Sequence, residues 1–201
     1  MCVAVLENIT SFNSAYVARI PISLTKWLLT RISKKERRIS QNKQYAAEIL
    51  SIILQLSRHQ LRSTLSLPLN PNILDILLTQ LSPYRKRDPT KHNDDEEEFV
   101  ENVFDALCTC VQSPLGKTMF LDLEGVELCL LFLKGVGKVA KSRGLKVLDF
   151  AVGGVGGDAI AEKLIDAGGL KVLFGMFMKK VLTANNKPLP PPFPSSRRKE
   201  G

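Results

Sequence analysis

One phrase recurs along the chain: a turn, often carrying glycine, followed by a short helix that is apolar on nearly every side. Its copies are PNILDILLTQL from Asn72, EGVELCLLFLK from Gly125 and GGLKVLFGMFMKK from Gly169, set 53 and 44 residues apart. A helix with no polar stripe cannot lie on a surface; it has to be enclosed by neighbours on several sides. A sequence that repeats such a helix calls for an architecture that repeats as well. A single helical bundle would also bury apolar helices, but it gives no reason for the phrase to recur.

Amphipathic segments lie between the copies. In YAAEILSIILQL (residues 45–56) the apolar residues Tyr45, Ala46, Ile49, Leu50, Ile53 and Leu54 fall on one helical stripe. Asn72 is a good N-cap for a helix over 72–81, and Pro83 ends it. Residues 85–98, RKRDPTKHNDDEEE, are too polar to pack and predict a solvated loop running into an acidic helix start. The helix that follows, about 98–112, carries Phe99, Val103, Phe104, Leu107 and Val111 on one side, and Ser113-Pro114 is expected to close it. Further helices are predicted over residues 139–151 and 159–167, with the GGVGGD stretch (153–158) as a loop between them, and over residues 26–32. Strand signals are weak, because the apolar runs favour Leu, Ala and Met and two-residue hairpin turns are absent. The expected fold is all-α, an armadillo/HEAT-like helical solenoid of about three repeats: the second spacing falls within the about 40–47 residues of such repeats, and the first exceeds it by roughly the length of the charged loop. Three regions are expected: a helical, basic segment over 1–40, the armadillo-like repeat domain over 41–182, and a disordered Pro-rich, basic tail over 183–201.

Composition removes several classes. With 44% apolar residues and mean hydropathy near zero, the chain of 201 residues has enough hydrophobic surface to fold. No run of roughly 18 apolar residues is present, so a membrane span is not expected. Four cysteines are too few for a disulfide framework, which favours a reducing compartment, and MCVAVLENIT lacks the basic start of a signal peptide.

The chemical motifs do not assemble into a catalytic site. Gly116-Lys117-Thr118 resembles the end of a phosphate-binding loop, but position 111 is Val where the loop needs a second Gly, and Pro114 removes an amide from the cradle. The glycines of 153–157 follow no strand, so a flexible connector between helices is expected there. Cys108, Cys110 and Cys129 lack zinc-site spacing and are expected in the core. His59 and His92 sit in polar surroundings with no adjacent nucleophile. The expectation is a protein that is not an enzyme and has no cofactor or metal.

Charge distribution is the most informative functional feature. The total of +8 divides into about +6 for residues 1–60, +3 for 61–93, −8 for 94–135 and +7 for 136–201. The ends could attract nucleic acid, the middle a cationic peptide. The acidic run Asp94, Asp95, Glu96, Glu97, Glu98, with Glu101 and Asp105 beyond it, is the candidate partner-binding site. Glu98, Glu101 and Asp105 are spaced three and four apart and share one helix face. The alternative is that these charges only keep an exposed helix soluble. The clusters Lys34-Lys35-Glu36-Arg37-Arg38 and Arg85-Lys86-Arg87 suit phosphate binding or an import signal, and equally a solvated loop. With 6% aromatic residues there is no stacking platform for single-stranded nucleic acid. Pro188–Pro194 would fit a proline-recognising groove or serve as a plain linker.

Several phrases together carry a resemblance. They are Glu101-Asn102-Val103-Phe104-Asp105-Ala106-Leu107-Cys108-Thr109-Cys110, Gly144-Leu145-Lys146-Val147-Leu148-Asp149, and Gly169-Leu170 with Phe174 and Phe177-Met178-Lys179. Lys26–Ile32, Glu48–Gln55 and Leu78–Ser82 add to them, in order and spacing, over roughly residues 26–180. The set resembles the β-catenin-like protein 1 family of nuclear, armadillo-type, spliceosome-associated proteins. The resemblance implies a helical superhelix in the nucleus, association with pre-mRNA splicing complexes, and partners that offer basic, import-signal-like segments. It implies no catalytic residues, small-molecule substrate or membrane. Family members are much longer, so this chain resembles a truncated member, with self-association expected through an uncapped last repeat. The alternatives to the adaptor are a scaffold touching RNA through its basic flanks and a remnant without binding activity of its own.

Overall fold

The computed structural model describes residues 8, 22–63, 72–90 and 93–182, and among them there is no strand. The helices are α1 (Ile22–Ser33), α2 (Gln41–Ser63), α3 (Asn72–Leu81), α4 (Asp94–Cys110), α5 (Pro114–Asp122), α6 (Gly125–Lys134), α7 (Lys138–Val152), α8 (Gly157–Asp166) and α9 (Gly169–Leu182), with a 3₁₀ turn over Ser82–Arg85. His92 and the Pro-rich tail lie outside the described residues. His59 falls within α2.

Two layers run side by side. In one, α2 packs on α4 and α4 on α7; in the other, α1 packs on α3 and α6 on α9. α5 and α8 are short helices at the corners, each leading into the next helix of the second layer. The segments α4–α5–α6 and α7–α8–α9 therefore repeat one another, as the spacing of 44 residues between Gly125 and Gly169 predicts. This is the expected helical solenoid. Leu28, Leu29 and Ile32 of α1 lie in the same core cluster as Leu50 of α2 and Leu74 of α3, so the core runs across the expected division at residue 40.

The glycine-led phrase has a steric cause. Before α6 the chain turns through Glu124 at φ 55°, and before α9 through Gly168 at φ 73°. The helix then starts hard against the preceding corner helix: a Cβ on Gly125 would overlap the Phe120 ring, and one on Gly169 would overlap Leu164. Only a residue without a side chain lets the two axes approach so closely.

α5 departs from expectation. Ser113-Pro114 does not merely close α4; it opens α5, with Ser113 Oγ accepting from the Gly116 amide at 3.0 Å and Pro114 in the first turn. Gly116-Lys117-Thr118 thus lies inside a helix. Lys117 is buried, and its ammonium donates to the Gly153 carbonyl, pinning the glycine loop after α7. Burial lowers the Lys117 pKa. A second buried lysine, Lys43, ties α2 to its neighbours, donating to Lys34 O and Gln80 Oε1 at 2.9 Å each and lying over the Phe99 ring. Cys108, Cys110 and Cys129 are buried, and burial pushes the first two thiols up to about 12.

Candidate functional site

α4 crosses the middle of the first layer, and its acidic run begins the helix at Asp94 rather than ending a loop. Asp94, Asp95, Glu96 and Glu97 all occupy its first turn, where carboxylates offset the exposed amides and the helix dipole. From there the run divides into three environments.

Glu96 turns inward. Its side chain is 6% exposed; Oε1 accepts from Tyr84 Oη at 2.9 Å and Arg87 Nη2 at 2.7 Å, and Oε2 accepts from the Thr90 amide at 2.9 Å. Burial by itself would raise this carboxyl, but the Arg87 guanidinium and the Thr90 and Tyr84 donors outweigh it and hold it at about 2. Burial and the adjacent carboxylate push the Tyr84 phenol up. Glu96 is spent inside the fold and is not available to a partner. The charged loop before it is also not simply solvated: Asp88 Oδ1 accepts from the Val139 amide at 3.1 Å, at the start of α7. Polar residues pack here because each finds a partner.

Glu101 and Asp105 face α7. Arg143 bonds Glu101 and stands 3.5 Å from Asp105, and Lys146 donates to Asp105 at 3.0 Å. These carboxylates clamp two helices of the layer together.

Asp94, Asp95 and Glu97 make no side-chain ion pair or hydrogen bond among the described residues. Asp94 and Asp95 line a cleft of about 520 Å³ with Arg38, Ile39, Ser40 and Asn93. Glu98 is exposed and reaches α2, accepting from Gln44 Nε2 at 2.9 Å. The predicted face of Glu98, Glu101 and Asp105 exists, but the last two are held by α7. Asn93 stands three residues before Glu96, the spacing of a capping box, yet its side chain makes no cap bond.

Among the described residues no three His, Cys, Asp or Glu side chains are grouped to hold a metal ion, and no helix is long and apolar enough to cross a membrane. The family model described as "Catenin-beta-like, Arm-motif containing nuclear" matches residues 1–190. The chain belongs to this family. Among its relatives, the β-catenin-like protein 1 homolog of Schizosaccharomyces pombe is 44% identical over 178 residues, and β-catenin-like protein 1 of Mus musculus is 36% identical over 177. The human β-catenin-like protein 1 is 34% identical over 177 residues. Each match covers 88% of this chain and 30% of the relative, so the chain spans about a third of the length of these relatives. The Arm-motif description of the family agrees with the two-layered helical stack.

Proposed function

We propose that the chain is a non-enzymatic nuclear adaptor associated with pre-mRNA splicing, which grips basic, import-signal-like segments of partner proteins with the acidic start of α4. The carrying observation is the set of carboxylates at the open edge of that helix, Asp94, Asp95 and Glu97, left without a cationic partner among the described residues. Arg38 lines the same cleft but forms no ion pair with these carboxylates; a partner's cationic side chains would pair with them, giving specificity and steering, while neighbouring apolar surface gives contact area. Reversing all three to Lys should weaken binding of a labelled basic peptide by at least about tenfold in fluorescence anisotropy. Unchanged affinity would remove the acidic edge from the function. If the chain instead binds any RNA with a steep loss of affinity as salt rises, the basic flanks are the working surface and the adaptor reading falls.

Self-association is the second part of the proposal. On α9, Leu170, Phe174, Phe177 and Met178 are 44%, 65%, 66% and 58% exposed. A second copy offers the same patch, and a two-fold pairing buries both.

A further inference from the structure

We propose that Ser40, at the end of the loop between α1 and α2, is a phosphorylation site for an arginine-directed serine kinase, and that its phosphate adds to the negative charge of the cleft at Asp94 and Asp95. The effect on the cleft rests on the reading of the chain as a basic-peptide adaptor; the modification itself does not.

Kinases of this class take the acceptor in an extended segment and read the arginines just before it by charge. Residues 34–40 join α1 to α2 and contain no helix. Arg37 and Arg38 stand three and two residues before Ser40, and both are exposed. Ser40 is half-buried and sits directly before α2, its carbonyl accepting from the Lys43 and Gln44 amides at 2.9 and 3.0 Å. Thr90 shows the contrast. Arg87 also stands three residues before it, but that guanidinium is bound to Glu96, and the Thr90 amide donates to the same carboxylate. A phosphate on Thr90 would meet a buried negative charge.

At Ser40 the acceptor oxygen already has a cation on it. Arg31 Nη2 donates to Ser40 Oγ at 2.9 Å, while Nη1 of the same guanidinium pairs with Glu36 at 2.6 Å. Phosphoryl transfer breaks the bond between the γ-phosphorus of a nucleoside triphosphate and its β–γ bridging oxygen. It forms a bond from that phosphorus to Oγ, sends the hydroxyl proton to the kinase's catalytic carboxylate and releases the diphosphate. The guanidinium of Arg31 then faces phosphate oxygens, a better bidentate partner than Glu36. Ser40 also lines the cleft of about 520 Å³ with Arg38, Asp94 and Asp95. That space has room for the group, and its charge of about −2 would fall beside two carboxylates. The cleft would then attract a cationic segment more strongly.

The test treats the full chain with the catalytic subunit of cyclic-AMP-dependent kinase and magnesium ATP, and reads the product by intact mass and fragmentation. One phosphate on Ser40 is expected, lost in Ser40→Ala and reduced by about tenfold or more in the double variant Arg37→Gln, Arg38→Gln. No phosphate on Ser40, or incorporation indifferent to the two arginines, overturns the site and leaves the adaptor reading untouched. Hydrogen exchange over the first turn of α2 should slow by about threefold on modification; unchanged exchange would show that the phosphate is not seated by Arg31. The phosphorylated chain should bind a labelled peptide of five lysines about threefold more tightly or better than the unmodified chain. If Ser40 is modified and affinity does not move, the link to the cleft is wrong, and reversal of Asp94, Asp95 and Glu97 alone decides the adaptor reading. If neither form binds the peptide, the adaptor reading falls with that link, while the modification stands on the mass data.

Discussion

α6 and α9 are equivalent helices in successive repeats, each entered through a left-handed turn residue and a buried glycine, yet their surroundings differ. α6 packs against α5, α7, α8, α9 and the 3₁₀ turn, and Phe132 in its last turn is fully buried, edge-on to Phe104 with ring centroids 5.6 Å apart. α9 packs on α6 and α8; Val172, Leu173 and Met176 face them, while Phe174 and Phe177 are about two-thirds exposed. The two phrases are alike in composition. What differs, among the described residues, is the presence of a layer on the far side. In a stack of this kind, burial is a property of a helix's neighbours rather than of its own sequence.

The largest effect should come from cutting the same residue type on either side of that divide. Phe132→Ala removes a ring from a closed site and should cost about 3–5 kcal/mol, whereas Phe174→Ala should change stability by no more than about 0.5 kcal/mol. Urea denaturation of both variants measures the gap. Equal losses would mean that α9 is as enclosed as α6, and the comparison would collapse.

Acid should separate the two regions by a smaller margin. The enclosed region contains the buried Glu96 carboxylate, held at about 2 against an ordinary 4.5. A depressed carboxyl stabilises the fold above its unfolded value, and that contribution is lost as pH falls from about 4.5 towards 2. The shift of about 2.5 units corresponds to about 3 kcal/mol at most. Hydrogen exchange at falling pH should therefore loosen the 3₁₀ turn and the start of α4 before α8. Glu96→Gln should flatten that part of the pH dependence, and an unchanged acid slope would show that the buried carboxylate contributes little.

Local patterns made much of the fold readable and left the site half hidden. The helix over Asn72–Leu81 ends before Pro83 as expected, because a proline acts on the backbone next to it. The same rules misjudge Ser113-Pro114, since a cap residue followed by proline can end one helix and begin another, as it does here. The charged loop was unreadable for a different reason. Glu96, Arg87 and Tyr84 satisfy one another, and Asp88 reaches Val139 across 51 positions, a pairing that composition cannot reveal. The acidic run is visible as letters, but which carboxylate turns inward depends on the rotation of α4 against the 3₁₀ turn. Gln44 and Glu98, 54 positions apart, meet only because α2 and α4 are neighbours in the layer.

The smallest change in stability should accompany the largest change in assembly. Phe174→Ser with Phe177→Ser removes two rings that already face water, so the unfolding free energy of the single chain should move by less than about 0.5 kcal/mol. If a second copy covers this face, the same pair of substitutions should abolish any concentration-dependent rise in mass in sedimentation equilibrium, because the two rings are the most exposed of the large apolar side chains described on α9. The equivalent positions of α6, Leu130 and Leu133, offer no such handle, since both are buried. A double variant that still associates as the unaltered chain does would place the contact elsewhere and leave the exposed rings of α9 without a role in pairing.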